Sequence, residues 1–281
     1  VIMTGVIDAH ERRDVAVIDV QNAFLQSEND ERIIMAIRGK TAELLVRVNP
    51  ELYRPYIWYS KKGVPMLYVL VSKALYGMLR AALLFYRKLR KDLEDMGFEV
   101  NPYDPCVANR DVRGSQCTVV WHVDDLKVSH KDEAVVTLFA QELAKRNQDK
   151  IKIKRGKVFD YLGMDLDFKS APGMLIISMI KYLQEVIKEW HEDLKGSKVN
   201  PHGDHLFTVR EDSERELLPE EMACQFHRTT AQLLFLCLRA RPDIQTPVSF
   251  FTTRVREPDM DDWKKLRHCL QYLKGTLHMK R

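Results

Sequence analysis

No stretch of this chain is apolar for long enough to cross a bilayer. Its longest apolar runs, such as Leu233 to Leu238, fall far short of the ~20 residues of a spanning helix, so no membrane partner is expected. Cysteine is sparse. Cys106, Cys117, Cys224, Cys237 and Cys269 form no C-x-x-C pair and no Cys/His cluster at zinc spacing. An odd count without a secretory leader points to reduced thiols in a cytosolic or nuclear setting. Val1-Ile2-Met3 carries neither a signal-peptide pattern nor an initiator methionine, as expected of a fragment or a processed product. Neither sign of charge dominates: 44 Lys and Arg face 40 Asp and Glu, a formal net charge of +4. That permits a nucleic-acid partner without demanding one. There is no internal repeat and no low-complexity tract. What is present is a chain of 281 residues, 45% apolar and 30% charged with mixed signs, enough to bury a core larger than one small domain needs.

The first third reads as strands: Val15 to Asp19, Arg32 to Ile37 and Leu67 to Val71. Leu79, Leu83, Tyr86, Leu89, Leu93 and Met96 then recur at helical steps, with Gly97 where a C-terminal cap belongs. Cys106 to Asn109, a turn at Asp111 to Gly114 and a strand from Gln116 to Val123 follow. Asp124-Asp125 interrupts that apolar run and Leu126 to Ser129 resumes it, which predicts a hairpin with two acids at its tip. Lys131 to Arg146 reads as helix, and Tyr161 to Phe168 and Met174 to Ser178 flank a hairpin signal at Ala171-Pro172-Gly173. The remainder is mainly helical: Ile180 to Leu194, Pro219 to Ala240, Ile244 to Val255 and Asp259 to Leu273. The expected class is α+β, with a sheet-plus-helix domain over residues 1–180 and a helical region over 181–281. The polar stretch Gly196 to Asp212 is the expected linker.

Adjacent acids in a turn are ordinarily just turn residues. Here the preceding strand, Thr118 to Val123, is almost wholly apolar and reads as buried on both faces. It delivers two carboxylates beside a core, where unit charges about 4 Å apart repel by roughly 4 kcal/mol at an effective dielectric of 20. A divalent cation would make such a cluster tolerable. Asp19 ends the run Val15-Ala16-Val17-Ile18 in the same manner. Three carboxylates on strand ends make a hard oxygen site suited to Mg2+, and two such ions can clamp an in-line phosphoryl displacement. The plainer alternative is that Asp19 caps the turn at Gln21 to Leu25. A second cluster, Lys150, Lys152, Lys154, Arg155 and Lys157, is either a solvated edge or a set of phosphate contacts.

The run Asp19-Val20-Gln21-Asn22-Ala23-Phe24-Leu25 resembles polymerase motif A of copia-type retrotransposon reverse transcriptases. Lys73-Ala74-Leu75-Tyr76-Gly77-Met78-Leu79-Arg80-Ala81-Ala82 resembles their motif B, and His122-Val123-Asp124-Asp125 their Tyr-Val-Asp-Asp box. Asp104-Pro105-Cys106, Tyr161-Leu162-Gly163-Met164, Lys181-Tyr182-Leu183, Arg241-Pro242-Asp243-Ile244 and Tyr272-Leu273-Lys274-Gly275-Thr276 fall in the family's order. The resemblance covers residues 15 to 276, and it is the order and spacing that make it specific.

The resemblance implies a right-hand polymerase: a palm with partial fingers, then a helical thumb or connection region. It implies an RNA-directed DNA polymerase region of a Gag-Pol polyprotein, working in the cytoplasm within virus-like particles. Asp19, Asp124 and Asp125 would be catalytic and would hold two Mg2+ ions, with Mn2+ as a substitute. Phe24 would gate the sugar, and Ala23, Tyr76 and Gly77 would line the nucleotide pocket. His122, Tyr161, Leu162 and Gly163 would meet primer and template. The implied partners are an RNA template, a DNA or RNA primer and deoxynucleoside triphosphates. The sequence departs from the family at His122, where tyrosine is usual, and at Leu79-Arg80-Ala81-Ala82, where Lys-Gln-Ala-Pro is common. Only 18 residues precede Asp19, so the upstream fingers strands and the RNase H domain are expected to be absent and the isolated chain to extend a primer poorly. A catalytically degenerate, nucleic-acid-binding relic is the alternative. A two-metal nuclease fits less well, since hydrolysis needs neither Phe24 nor the motif B loop.

Overall fold

The computed structural model describes residues 1–281, the side chain of Asp212 excepted. In chain order the elements are α1 (Ile2–His10), β1 (Asp14–Val20), β2 (Ile34–Arg38), α2 (Lys40–Val48), α3 (Pro50–Tyr53), β3 (Ile57–Tyr59), β4 (Pro65–Leu70) and α4 (Ala81–Asp95). Next come β5 (Glu99–Val100), β6 (Val107–Val112), β7 (Ser115–His122), β8 (Asp125–His130), α5 (Glu133–Arg146) and β9 (Ile151–Arg155). The chain ends with β10 (Val158–Tyr161), β11 (Met164–Asp167), β12 (Ile176–Ser178), α6 (Ile180–Glu189), α7 (Glu220–Arg239), α8 (Gln245–Arg254) and α9 (Met260–Gly275). The fold is mixed α and β, as the sequence pattern predicts. Among the described residues no helix is long and apolar enough to cross a membrane.

Two compact units form, one of residues 18–153 and one of residues 1–17 with 154–281. The chain passes between them within β1 and again within β9. The strands order as β5-β6-β7-β8-β1-β9 in one sheet, β2-β4-β3 in a second and β10-β11-β12 in a third.

In the 18–153 unit the core lies where β7 and β8 meet α4 and α5. Val119, Trp121, Leu126 and Val128 are buried, as are Phe85, Leu89 and Leu93 of α4 and Val136, Phe139 and Leu143 of α5. The buried stripe of α4 is Ala81, Leu84, Phe85, Leu89 and Leu93. It is rotated from the expected one, because the helix starts at Ala81 and leaves Leu79 fully exposed. The expected cap at Gly97 is present. Gly97 has φ +81°, its N–H bonds Glu94 O at 2.9 Å and that of Phe98 bonds Leu93 O at 2.9 Å, while the buried Phe98 and Leu93 supply the apolar contact that accompanies such a cap.

The other unit is built on one continuous apolar cluster. Phe159, Tyr161, Met164, Leu166 and Ile177 of its small sheet join Phe226, Leu233, Phe251, Trp263, Leu266 and Leu273 of α7–α9, and Val15 and Val17 belong to it as well. The expected boundary at residue 180 therefore does not coincide with a division of the structure. The hairpins after residue 154 carry apolar side chains that pack on the helices, a preference that nearness in sequence does not reveal. Helix α6 stops at Glu189, five residues before the expected end, because the chain leaves helical geometry at Trp190, which stacks on Trp263 with ring centroids 4.3 Å apart. The stretch 196–211 is no linker between units. It lies inside this unit, holds Leu206 buried in the core and is strapped along α9. Lys265 Nζ donates to Thr208 O at 2.6 Å, His268 Nε2 meets Asn200 O at 3.0 Å and Gln271 Nε2 donates to Lys195 O at 2.6 Å.

Candidate active site

Asp19 is the penultimate residue of β1. Its strand forms because Val15, Ala16, Val17, Ile18 and Val20 are apolar and buried, and Asp19 alone near that end stays half-buried. The backbone around it is fastened on two sides. Val20 N–H donates to Asp124 O at 3.0 Å, and Gln21 N–H donates to Lys150 O at 2.9 Å. The first bond ties the end of β1 to the tip of the β7–β8 hairpin. The second brings the start of the basic cluster to the same segment, where Lys150 and Lys152 are exposed.

The hairpin itself differs from expectation by one residue. His122 pairs with Asp125, so the two-residue turn is Val123-Asp124, and Asp125 is the first residue of β8. Val123 sits at φ +56°, a left-handed conformation that a β-branched side chain adopts only under strain of order 1–3 kcal/mol. The alternative in which Asp19 merely caps the following turn has no support in its contacts: the left-handed Asn22 is the residue before the 3-10 turn Ala23–Gln26, and it makes no side-chain cap there. Alternation puts His122 and Val120 on the same face as their partners Asp125 and Lys127. Lys127 is fully buried, two residues or ~7 Å along the strand from Asp125. It is absent from the residues that the motifs single out. Its signal in the sequence is a single cation between Leu126 and Val128.

A second group forms around the 3-10 turn. Ala23 is wholly buried and Phe24 half-buried, its ring 4.6 Å from that of Tyr76 at 48°. Phe24 and Met78 pack on Ala74, Ala81 and Leu84. Ala23 is thus a support beneath the turn and offers no surface to a ligand, whereas Tyr76 is 63% exposed. Gly77 has φ +92° with nothing within 4 Å of where a Cβ would stand, a conformation and an openness that glycine suits. The loop from Lys73 to Arg80 is docked onto the segment after the 3-10 turn. Ala74 N–H donates to Ser27 O at 3.0 Å, and Lys73 bridges Glu28. Arg80 donates to Asp30 at 2.8 Å and also to Glu31. Hydrogen bonding to Glu31 and the charge of Asp30 raise the pKa of this guanidinium. The departure at Leu79-Arg80-Ala81-Ala82 is thereby accommodated: Arg80 anchors the loop to two acids that belong to none of the motifs.

Tyr161-Leu162-Gly163-Met164 belongs to the other unit. It is the turn between β10 and β11, with Tyr161 paired to Met164 and both buried. Leu162 and Gly163 take φ +53° and +76° and form the accessible part. Among the described residues, no group of three or more His, Cys, Asp and Glu stands ready to hold a metal ion. The donor type of Asp19, Asp124 and Asp125 is nevertheless the hard oxygen that Mg2+ takes, and their strands are neighbours.

Residues 59–200, half of the chain, match the sequence model of the reverse transcriptase (RNA-dependent DNA polymerase) family. The chain belongs to that family. Members of the reverse transcriptase family use divalent metals, and the matched segment of this one runs from β3 through α6, including the motif B loop and the Asp124-Asp125 hairpin. Two relatives extend the match to more than nine-tenths of the chain. The Retrovirus-related Pol polyprotein from transposon TNT 1-94 of Nicotiana tabacum is 23% identical over 272 residues, covering 94% of this chain and 18% of that polyprotein. A transposon Ty5-1 protein of Saccharomyces cerevisiae is 25% identical over 264 residues, covering 93% of this chain and 77% of the relative. This is a copia-type reverse transcriptase region, and it spans a small part of the tobacco polyprotein. Among solved structures, apo telomerase from Candida tropicalis aligns with 90% of this reverse transcriptase region and 44% of that chain, at 10% identity and a TM-score of 0.38. Telomerase from Candida albicans in complex with a fragment of telomeric RNA aligns with 96% and 48%, at 9% identity and a TM-score of 0.34.

Proposed function

We propose that this reverse transcriptase region extends a DNA strand on an RNA template, with Asp19, Asp124 and Asp125 as its catalytic carboxylates. The observation that carries the reading is the Val20–Asp124 backbone hydrogen bond, which sets Asp19 beside the hairpin holding the other two. In the reaction a primer 3′-oxygen forms a bond to the α-phosphorus of a deoxynucleoside triphosphate, the bond from that phosphorus to the bridging oxygen breaks, pyrophosphate leaves and the hydroxyl proton passes to base. Two divalent cations, Mg2+ or in substitution Mn2+, would when bound lower the pKa of the hydroxyl and neutralise the triphosphate. The three carboxylates are the side chains that would hold them. Phe24 and Tyr76 form one aromatic wall, on which the sugar and base of the incoming nucleotide would rest. Gly77 lets backbone approach closely there, and exposed His122 would lie against the primer end. Leu162 and Gly163, with Tyr161 as their buried anchor, would touch the primer or template. On this reading the residues before α6 supply palm and partial fingers, the helices from α6 onward supply the thumb or connection region, and the parent polyprotein works in cytoplasmic virus-like particles.

The rival reading, a relic that binds nucleic acid without turnover, draws on His122 in the place of the family tyrosine. Primer extension on an RNA template, with Mg2+ and then Mn2+, separates the two. Asp124→Asn is expected to slow extension at least ~10²-fold while the melting temperature stays within a few degrees. Extension by the variant at the wild-type rate would remove the carboxylate assignment.

A further inference from the structure

The 196–211 strap and α9 enclose a small cavity that the polymerase reading does not use. It measures about 180 Å3, some six times the ~30 Å3 that a water occupies in the liquid. Its walls carry His202 and His205 from the strap, His268 from α9, and the cations Lys198, Lys264 and Arg267. Buried Lys265 lines it too, but is committed to Asp261 at 2.9 Å and to Thr208 O. Arg267 is shared with Glu192 at 3.5 Å. Lys198 and Lys264 are exposed, and no carboxylate lines the cavity. Asp204, on the strap between His202 and His205, is an exposed acid outside the lining. The charges of Lys198, Lys264 and Arg267 repel a cation. Three imidazoles and three cations along one cavity favour an anion of high charge density.

We propose that this pocket binds a phosphate group and that protonation of His268 strengthens the binding. The proposal does not rest on the polymerase reading. Burial lowers the pKa of His268, and the charges of Lys198, His205 and His202 lower it further against the raising effect of its bond to Asn200 O. Without an anion, therefore, the neighbours resist protonating this ring. A bound phosphate reverses that field, so phosphate and protons enter together. Affinity accordingly rises as the pH falls. Gly203 shapes the pocket: a Cβ there would come within 3.0 Å of the His205 ring.

The test is calorimetric titration of the full chain at pH 6 and pH 8, with EDTA present so that no metal-dependent site contributes. Inorganic pyrophosphate is the first probe and a single-stranded DNA 12-mer the second. Both are repeated on Lys198→Ala/Lys264→Ala, two exposed positions whose truncation spares the core, and on His268→Gln. We expect saturable pyrophosphate binding at pH 6, about tenfold weaker at pH 8 and about tenfold weaker in the double variant, with a smaller pH effect in His268→Gln. If pyrophosphate fails but the double variant weakens 12-mer binding at pH 6, the phosphate is one carried on a nucleic-acid strand. Equal binding of both probes by wild type and double variant overturns the site. Binding that depends on the lysines yet is the same at both pH values overturns the role of His268.

Discussion

The two units put their family-like segments to opposite uses. In the 18–153 unit these segments end at accessible places: Asp19, Asp124 and Asp125 are half-buried, while Tyr76, Gly77 and His122 are exposed. In the other unit the corresponding segments are mostly core. Tyr161, Met164, Leu183, Ile244 and Tyr272 are buried. Arg241 is 2% exposed and joins two of the segments by donating to Asp243 at 2.7 Å, to Thr276 O at 3.0 Å and to Thr276 Oγ1 at 2.7 Å. Tyr272 adds a 2.8 Å bond to the same Asp243 oxygen. A family pattern thus marks accessible side chains in one unit and packing in the other, and sequence alone gives both the same look.

The sharpest way to break this contrast is to cut one arginine in each unit. Arg241→Met takes the cation from beside a partly buried carboxylate and removes two bonds to Thr276, and is expected to cost about 3–5 kcal/mol in chemical denaturation. Arg80→Met removes a clamp whose side chains are each a third or more exposed, and should cost less than about 1 kcal/mol. Equal losses would mean that the two networks do the same work.

Phe24→Ala tests whether the accessible unit selects its substrate. Losing the ring opens the space beside Tyr76, and the ratio of ribonucleotide to deoxynucleotide incorporation is expected to rise about tenfold, some 1.4 kcal/mol of discrimination. A ratio that holds constant while the melting temperature drops would reduce Phe24 to a packing residue on Ala74, Ala81 and Leu84.

Val123→Gly addresses the strained turn. Val123 is 37% exposed, so little packing is lost, and glycine takes φ +56° freely. Stability should increase by about 1 kcal/mol, read from the denaturation midpoint. A decrease would show that the valine side chain holds the hairpin more firmly than its backbone strains it.

The smallest effect is the pH response of Asp243. Burial raises the pKa of its carboxyl, but hydrogen bonds from Arg241 and Tyr272 outweigh burial and leave it lowered. A depressed folded-state pKa adds stability above the unfolded value near ~3.9, and that contribution is lost as the pH falls through the depressed value. Asp243→Asn should therefore show a shallower loss of stability in acid than the wild type. Parallel acid limbs would exclude this carboxylate from the balance.

Much of the secondary structure was legible in the sequence because local rules suffice for it. The break in the apolar run at Asp124-Asp125 gave the hairpin, Gly97 marked the end of α4, and Asp259 marked the start of α9, where it accepts from Asp261 and Asp262 N–H. The order and spacing of the motifs likewise pointed to the family. The one-residue shift at the hairpin tip was not legible, since Asp suits a turn and a first strand position alike, and only the pairing of His122 with Asp125 decides between them.

What only the tertiary structure decided lies in contacts between residues far apart in the chain. It divided the chain away from residue 180 and drew 196–211 against α9. It also turned Arg80 and Arg241 into clamps on different acids and buried Lys127 within two residues of Asp125. Periodicity and capping act over a few residues and can be read from the local sequence. Burial and ion pairing depend on which distant side chain arrives, and that is settled only when the whole core closes.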